Sequence, residues 1–144
     1  MSYVRIWLHC VWGTKKHYPF LTTDTKTEIV DHIRSNAITK GIHIDSLNGH
    51  TEHLHCLFLL GPEQSVSQVM QLIKGESSFW INKNNIVQGK FEWADEYFAV
   101  SASESQLGKV RNYIKGQEQH HMKKTWIQEY DEFIGAYGFQ RIKD

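Results

Sequence analysis

The sequence predicts an α+β domain of the split β-α-β, ferredoxin-like kind, and three observations carry that prediction. Apolar residues alternate between strand-like and helix-like spacing in the order β-α-β-β-α-β. Capping and turn residues stand at the boundaries between those segments. The length of 144 residues suits one hydrophobic core and is short for two, so residues 1–144 read as a single domain.

Residues 3–12 are rich in β-branched and aromatic side chains and read as the first strand, with Pro19 breaking the chain beyond it. Residues 23–40 place Ile29, Ile33 and Ala37 on one helical stripe, and Gly41 follows as a stop. Residues 42–47 and 53–60 read as two strands around a turn at Asn48-Gly49. Ser65 with Gln68 forms a capping box that opens a helix through Val66, Met70, Ile73, Ser77 and Trp80, ending in Asn82-Lys83-Asn84-Asn85. Residues 97–101 form the fourth strand, and a third helix covers residues 104–121. Thr125 and Gln128 repeat the capping-box pattern before a short terminal helix.

Composition excludes several classes of protein. Sixteen Lys+Arg balance sixteen Asp+Glu, which rules out a uniformly basic coat for polyanions. The chain is too apolar and too balanced in charge for disorder, and it contains no long uncharged apolar run to span a membrane. Its first residues lack the layout of a signal peptide, and Cys10 and Cys56 lie inside apolar runs as buried thiols would. A cytoplasmic, reducing setting is the expectation. The neutral total is uneven along the chain: residues 101–124 hold five basic and two acidic side chains, and residues 125–144 hold two and four. Lys15-Lys16-His17 makes a second, smaller basic cluster. Such runs serve as solvated surface about as often as they serve a polyanion.

Glu52-His53-Leu54-His55 is the most informative segment. Strand side chains alternate, so His53 and His55 share a face about 7 Å apart and can chelate one divalent ion. Leu54, Cys56 and Phe58 line the other face, while Leu57 and Leu59 continue the histidine face as apolar, which marks a central strand. Two half-exposed histidines with no ligand is the competing reading, and for an isolated His-x-His it is the commoner one.

The third helix carries possible partners. Leu107, Val110 and Ile114 form its apolar line, and Lys109, Tyr113, Gln117 and His120 share a neighbouring stripe. Tyr113 offers a nucleophilic hydroxyl, and Gln117 one turn on offers a carbonyl oxygen. Singly, each is equally an edge-of-core or surface residue.

Together these residues resemble the single-tyrosine HUH transposases of small bacterial insertion sequences and their repeat-associated relatives. The motifs are His53-Leu54-His55 and Tyr113-Ile114-Lys115-Gly116-Gln117. His9-Cys10-Val11-Trp12-Gly13-Thr14-Lys15 resembles the family's opening strand and turn, Leu72-Ile73-Lys74-Gly75-Glu76-Ser77-Ser78 its middle helix, and residues 91–101 its last strand. Nearly the whole chain is covered in the family's order. The resemblance implies cleavage and rejoining of single-stranded DNA hairpins by a homodimer, through a 5′-phosphotyrosine on Tyr113. It implies Mg²⁺ or Mn²⁺ held by His53, His55 and Gln117, and DNA contacts from Lys15, Lys16, Lys74, Lys109, Arg111 and Lys115. Glu52 stands where the family often has Asp, and it and His120 are expected to support the site. Two other readings compete: a hairpin-binding module without strand transfer, and a metallo-hydrolase or structural zinc protein using His53, His55, His120 and His121.

Overall fold

The computed structural model describes residues 2–117 and residue 128. Four strands and three helices follow the predicted order: β1 (Ile6–Gly13), α1 (Thr23–Thr39), β2 (His43–Gly49), β3 (His53–Leu60), α2 (Val66–Lys83), β4 (Phe98–Ala102) and α3 (Leu107–Lys115). Short 3-10 turns at Lys15–His17 and Glu104–Gln106 follow β1 and precede α3. The third helix predicted over 104–121 thus begins as a 3-10 turn, and α3 ends at Lys115 with Gly116 as its C-cap; residues 118–121 and the terminal helix predicted after Thr125 lie outside the described residues. Among the described residues no helix is long and apolar enough to cross a membrane.

The strands form one antiparallel sheet in the order β2-β3-β1-β4, which is the arrangement the split β-α-β pattern demands. Alternation sorts side chains between its faces. Cys10, Trp12, Leu54, Cys56 and Phe58 face α1 and α2, where Ile29, Ile33, Val69, Met70, Ile73 and Ile81 complete the main core. Trp7 and Leu57 point to the opposite face and pack against Leu107 and Ile114 of α3. Helices therefore cover both sides. Cys10 and Cys56 are buried free thiols, and burial raises Cys10 to about 12. The Ser65–Gln68 capping box forms as predicted, with both reciprocal hydrogen bonds.

The turn between β2 and β3 departs from expectation. Asn48 and Gly49 belong to β2, paired with His55 and Leu54, and the chain reverses over residues 50–52 instead. The glycine is required by a close approach: a Cβ at Gly49 would lie 2.0 Å from the carbonyl oxygen of His53. A second irregularity lies earlier in β2, where Ile44 pairs with Phe58 and Ser46 with Leu57, so Asp45 is an extra, bulged residue.

Candidate functional site

β3 is central, and its first residues are held from three sides. Gly13 of β1 pairs with His53, the Thr14 amide donates to the Glu52 carbonyl at 2.8 Å, and the Leu21 amide donates to Thr51 at 2.8 Å. That rigid frame orients two imidazoles on the α3 face, where His53 and His55 are both buried with ring centroids 5.1 Å apart.

Each ring is fixed through its Nδ1. His53 Nδ1 lies 3.1 Å from Glu52 Oε1, and His55 Nδ1 lies 2.9 Å from His9 Nε2. Burial works to raise the Glu52 carboxyl, but hydrogen bonds from His53 and Thr51, with the charges of His53 and His50, outweigh it and hold it down to about 2. Glu52 is therefore ionised at neutral pH and can only accept, which places a proton on His53 Nδ1. Of the two residues expected behind the site, Glu52 contacts His53 and His120 lies outside the described residues.

α3 and the residues just past its C-cap Gly116 deliver the remaining groups. Gln117 is fully buried, with Oε1 3.0 Å from His53 Nε2 and its amide nitrogen donating to the Tyr113 carbonyl at 3.3 Å. Two acceptors therefore flank one imidazole, Glu52 at Nδ1 and Gln117 at Nε2. An electropositive partner, a proton or a cation, is what the Nε2–Oε1 contact calls for. Nitrogen and amide-oxygen donors suit a divalent ion, so the residues fit the metal set expected of them. Among the described residues no three His, Cys, Asp or Glu side chains gather around one point. Tyr113 is half-buried, its ring 5.3 Å from that of His55 and 6.1 Å from that of His9.

Two contacts from β2 hold α3 against its own sheet. Asn48 Nδ2 donates to the carbonyls of Ile114 and Lys115 at 3.1 and 3.3 Å, securing the turn that links Tyr113 to Gln117. The bulged Asp45 takes Arg111 in a bidentate pair, with Nε–Oδ1 and Nη2–Oδ2 both 2.9 Å. At the other end, Glu104 ties the 3-10 turn to β1 through Trp7 Nε1 at 3.0 Å and to Arg5 just before that strand.

The Arg111 hydrogen bonds hold the Asp45 carboxyl below its usual range, against a smaller opposing effect of burial. A folded-state value below the unfolded one stabilises the protein above the ordinary carboxylate value near pH 4, and that contribution is lost as pH falls through the lowered value. Urea midpoints at pH 6 and pH 3 are expected to fall further apart for wild type than for Arg111→Met. Equal separations would show that the pair does not link folding to pH.

A model of the family described as IS200-like transposases matches residues 2–117. The chain belongs to that family. This IS200-like transposase is 21% identical over 114 residues to the ISDra2 transposase TnpA of Deinococcus radiodurans, covering 76% of this chain and 81% of that protein. Two solved structures share its fold. A crystal structure described as that of a transposase from Deinococcus radiodurans R1 superposes with a TM-score of 0.65 at 21% identity, over 81% of this chain and 95% of the other. A REP-associated tyrosine transposase bound to a REP hairpin superposes with a TM-score of 0.60 at 13% identity, over 88% and 73%.

The basic residues expected on DNA divide in this transposase. Lys16, Lys109 and Lys115 are exposed. Lys15 is exposed as well but pairs with Glu92 at 2.6 Å, and Arg111 is the partner of Asp45. Lys74 turns its ammonium onto the carbonyls of Ala94 and Asp95 at 2.7 and 3.1 Å, where burial lowers its pKa. Lys16 and His17 both adopt a φ of 58°, an uncommon backbone for residues with side chains. Beside them Lys15, Tyr18, Phe20 and Lys90 line an open cleft of about 310 Å³.

Sequence reasoning missed three residues that shape the site: His9, Asp45 and Asn48. For His9 a signal existed, because it is the one polar side chain among Trp7, His9 and Val11 on the same face of an otherwise apolar strand.

Proposed function

We propose that this IS200-like transposase cleaves and rejoins single-stranded DNA through a covalent 5′-phosphotyrosine, with Tyr113 as nucleophile and His53, His55 and Gln117 as ligands of Mg²⁺ or Mn²⁺. The observation that carries the reading is the convergence of these four side chains from β3, α3 and the residues just past its C-cap on one face of the sheet: His53 meets Gln117 at 3.0 Å and Tyr113 packs on His55.

Tyr113 Oη attacks the scissile phosphorus in line with the 3′ oxygen. The P–O3′ bond breaks as the tyrosyl P–O bond forms, and the departing oxygen takes up a proton to become a 3′-hydroxyl. The phosphoester energy is kept on the protein, so a second 3′-hydroxyl can reverse the step on another strand without ATP. Ionising a phenol of ordinary pKa at neutral pH costs about 4 kcal/mol. When bound, the metal would polarise the phosphate oxygens and offset a comparable amount of that cost. The chain's own part is positional: β3 fixes the imidazoles, and Asn48 and Asp45 hold Tyr113 beside the histidines of its own sheet. That anchoring supports attack in cis.

DNA recognition is assigned to the exposed Lys16, Lys109 and Lys115, which can follow a phosphate backbone, and to the cleft where Tyr18 and Phe20 can stack unpaired bases. A hairpin is the substrate form we adopt, by analogy with the relative bound to a REP hairpin. β4 is a short edge strand of the sheet, which supports a homodimer pairing through it.

The deciding experiment incubates the protein with single-stranded hairpin DNA and Mn²⁺ and looks for a covalent adduct on a denaturing gel. A hairpin that binds without ever forming an adduct would leave a DNA-binding module. Gln117→Ala is expected to weaken Mn²⁺ binding roughly tenfold or more by calorimetry and to suppress the adduct in parallel. Unchanged affinity would remove Gln117 from the ligand set.

A further inference from the structure

His9 lies on β1, directly across from Leu57 of β3, and is almost entirely buried. Its Nε2 is 2.9 Å from His55 Nδ1, its ring centroid 5.1 Å from that of His55 and 6.1 Å from that of Tyr113. Two neutral imidazoles in contact must divide donor and acceptor roles, and only one division suits the ligand set. Were His9 to donate, His55 Nδ1 would carry the lone pair and Nε2 the proton, leaving His55 no nitrogen for a cation on the tyrosine side.

We infer that His9 is a positioning residue that accepts the Nδ1 proton of His55 and so fixes the tautomer in which His55 Nε2 carries the lone pair. His53 is arranged the same way, with Glu52 as the acceptor at its Nδ1. The two ligand histidines are thus set by two different acceptors, one a carboxylate and one a neutral imidazole. A neutral acceptor beside His55 adds no negative charge next to the position a DNA phosphate would approach. The inference rests on the metal-site reading above, and the tautomer itself can be observed without metal.

The test begins with long-range ¹H–¹⁵N correlation spectra of the metal-free wild type at about pH 8, where histidines of ordinary pKa are neutral. The His55 signals are assigned by their loss in His55→Gln. A proton on His55 Nδ1 is expected; a proton on Nε2 would overturn the inference. His9→Leu removes the acceptor and is expected to weaken Mn²⁺ binding by roughly 10–100-fold. His9→Gln keeps an acceptor near the same place and is expected to restore affinity to within a few-fold. Wild-type affinity in a folded His9→Leu would overturn the inference, as would equal losses in Leu and Gln variants, which a purely structural role predicts. If the wild type bound no Mn²⁺, the metal reading would fall, and the tautomer spectrum alone would still decide the role of His9.

Discussion

Tyr113→Phe is expected to abolish the covalent protein–DNA adduct while leaving the protein folded. The change removes one oxygen and nothing else. The ring makes T-shaped contacts with His9 and His55 that need no hydroxyl, so the stability loss is expected to be at most about 1 kcal/mol. Loss of the nucleophile should lower strand cleavage by on the order of 10⁴-fold or more. Denaturing gels measure the adduct, a filter or gel-shift assay measures hairpin binding, and thermal melts report the fold. An adduct of undiminished yield in the variant would exclude Tyr113 as the nucleophile. Hairpin affinity close to wild type is expected, because the exposed lysines and the cleft around Tyr18 are untouched.

Gly49→Ala is expected to destabilise the protein severely, although it adds only one methyl group. The new Cβ would stand 2.0 Å from the His53 carbonyl oxygen and 2.8 Å from the Leu54 Cα, both backbone atoms with no rotamer by which to move away. The same His53 carbonyl accepts the His50 amide at 3.0 Å, and the Gly49 carbonyl accepts the Lys26 ammonium at 3.1 Å. Relief of the clash therefore has to separate β2 from β3 at the end that carries His53. A cost of about 3 kcal/mol and a fall in melting temperature of about 10 °C are expected. Mn²⁺ affinity should fall as well, since the strand that mounts the imidazoles is the one displaced. A melting temperature within about 2 °C of wild type would show that Gly49 and His53 do not approach as closely as this β2–β3 pairing requires.

Much of the site is legible along the chain because its pieces are local. His53 and His55 share a face through strand alternation, and Tyr113 and Gln117 share one through the helical repeat. The apolar continuation through Leu57 and Leu59 correctly marks β3 as central. What escaped is non-local. His9 meets His55 only because β1 pairs beside β3, 46 residues away along the chain. Asp45 and Asn48 matter only because α3 settles over β2. Asn48-Gly49 resembles a two-residue hairpin turn by composition, yet the glycine serves a close backbone approach within the strand. Basic residues were equally ambiguous: nothing in their spacing distinguishes Lys109, which is exposed, from Arg111, which grips a carboxylate.

By itself, then, the sequence determined the order of elements and the two short motifs that supply imidazole, phenol and amide. Periodicity settles these, since it depends on residues within a turn or two of one another. Only the tertiary structure decided that the motifs meet, that the tyrosine helix rests on its own sheet, and that His9 and Glu52 stand behind His55 and His53. Hydrogen-bond partners across strands and between layers are chosen by packing, because a buried donor or acceptor must be satisfied by whatever the fold brings within about 3 Å of it.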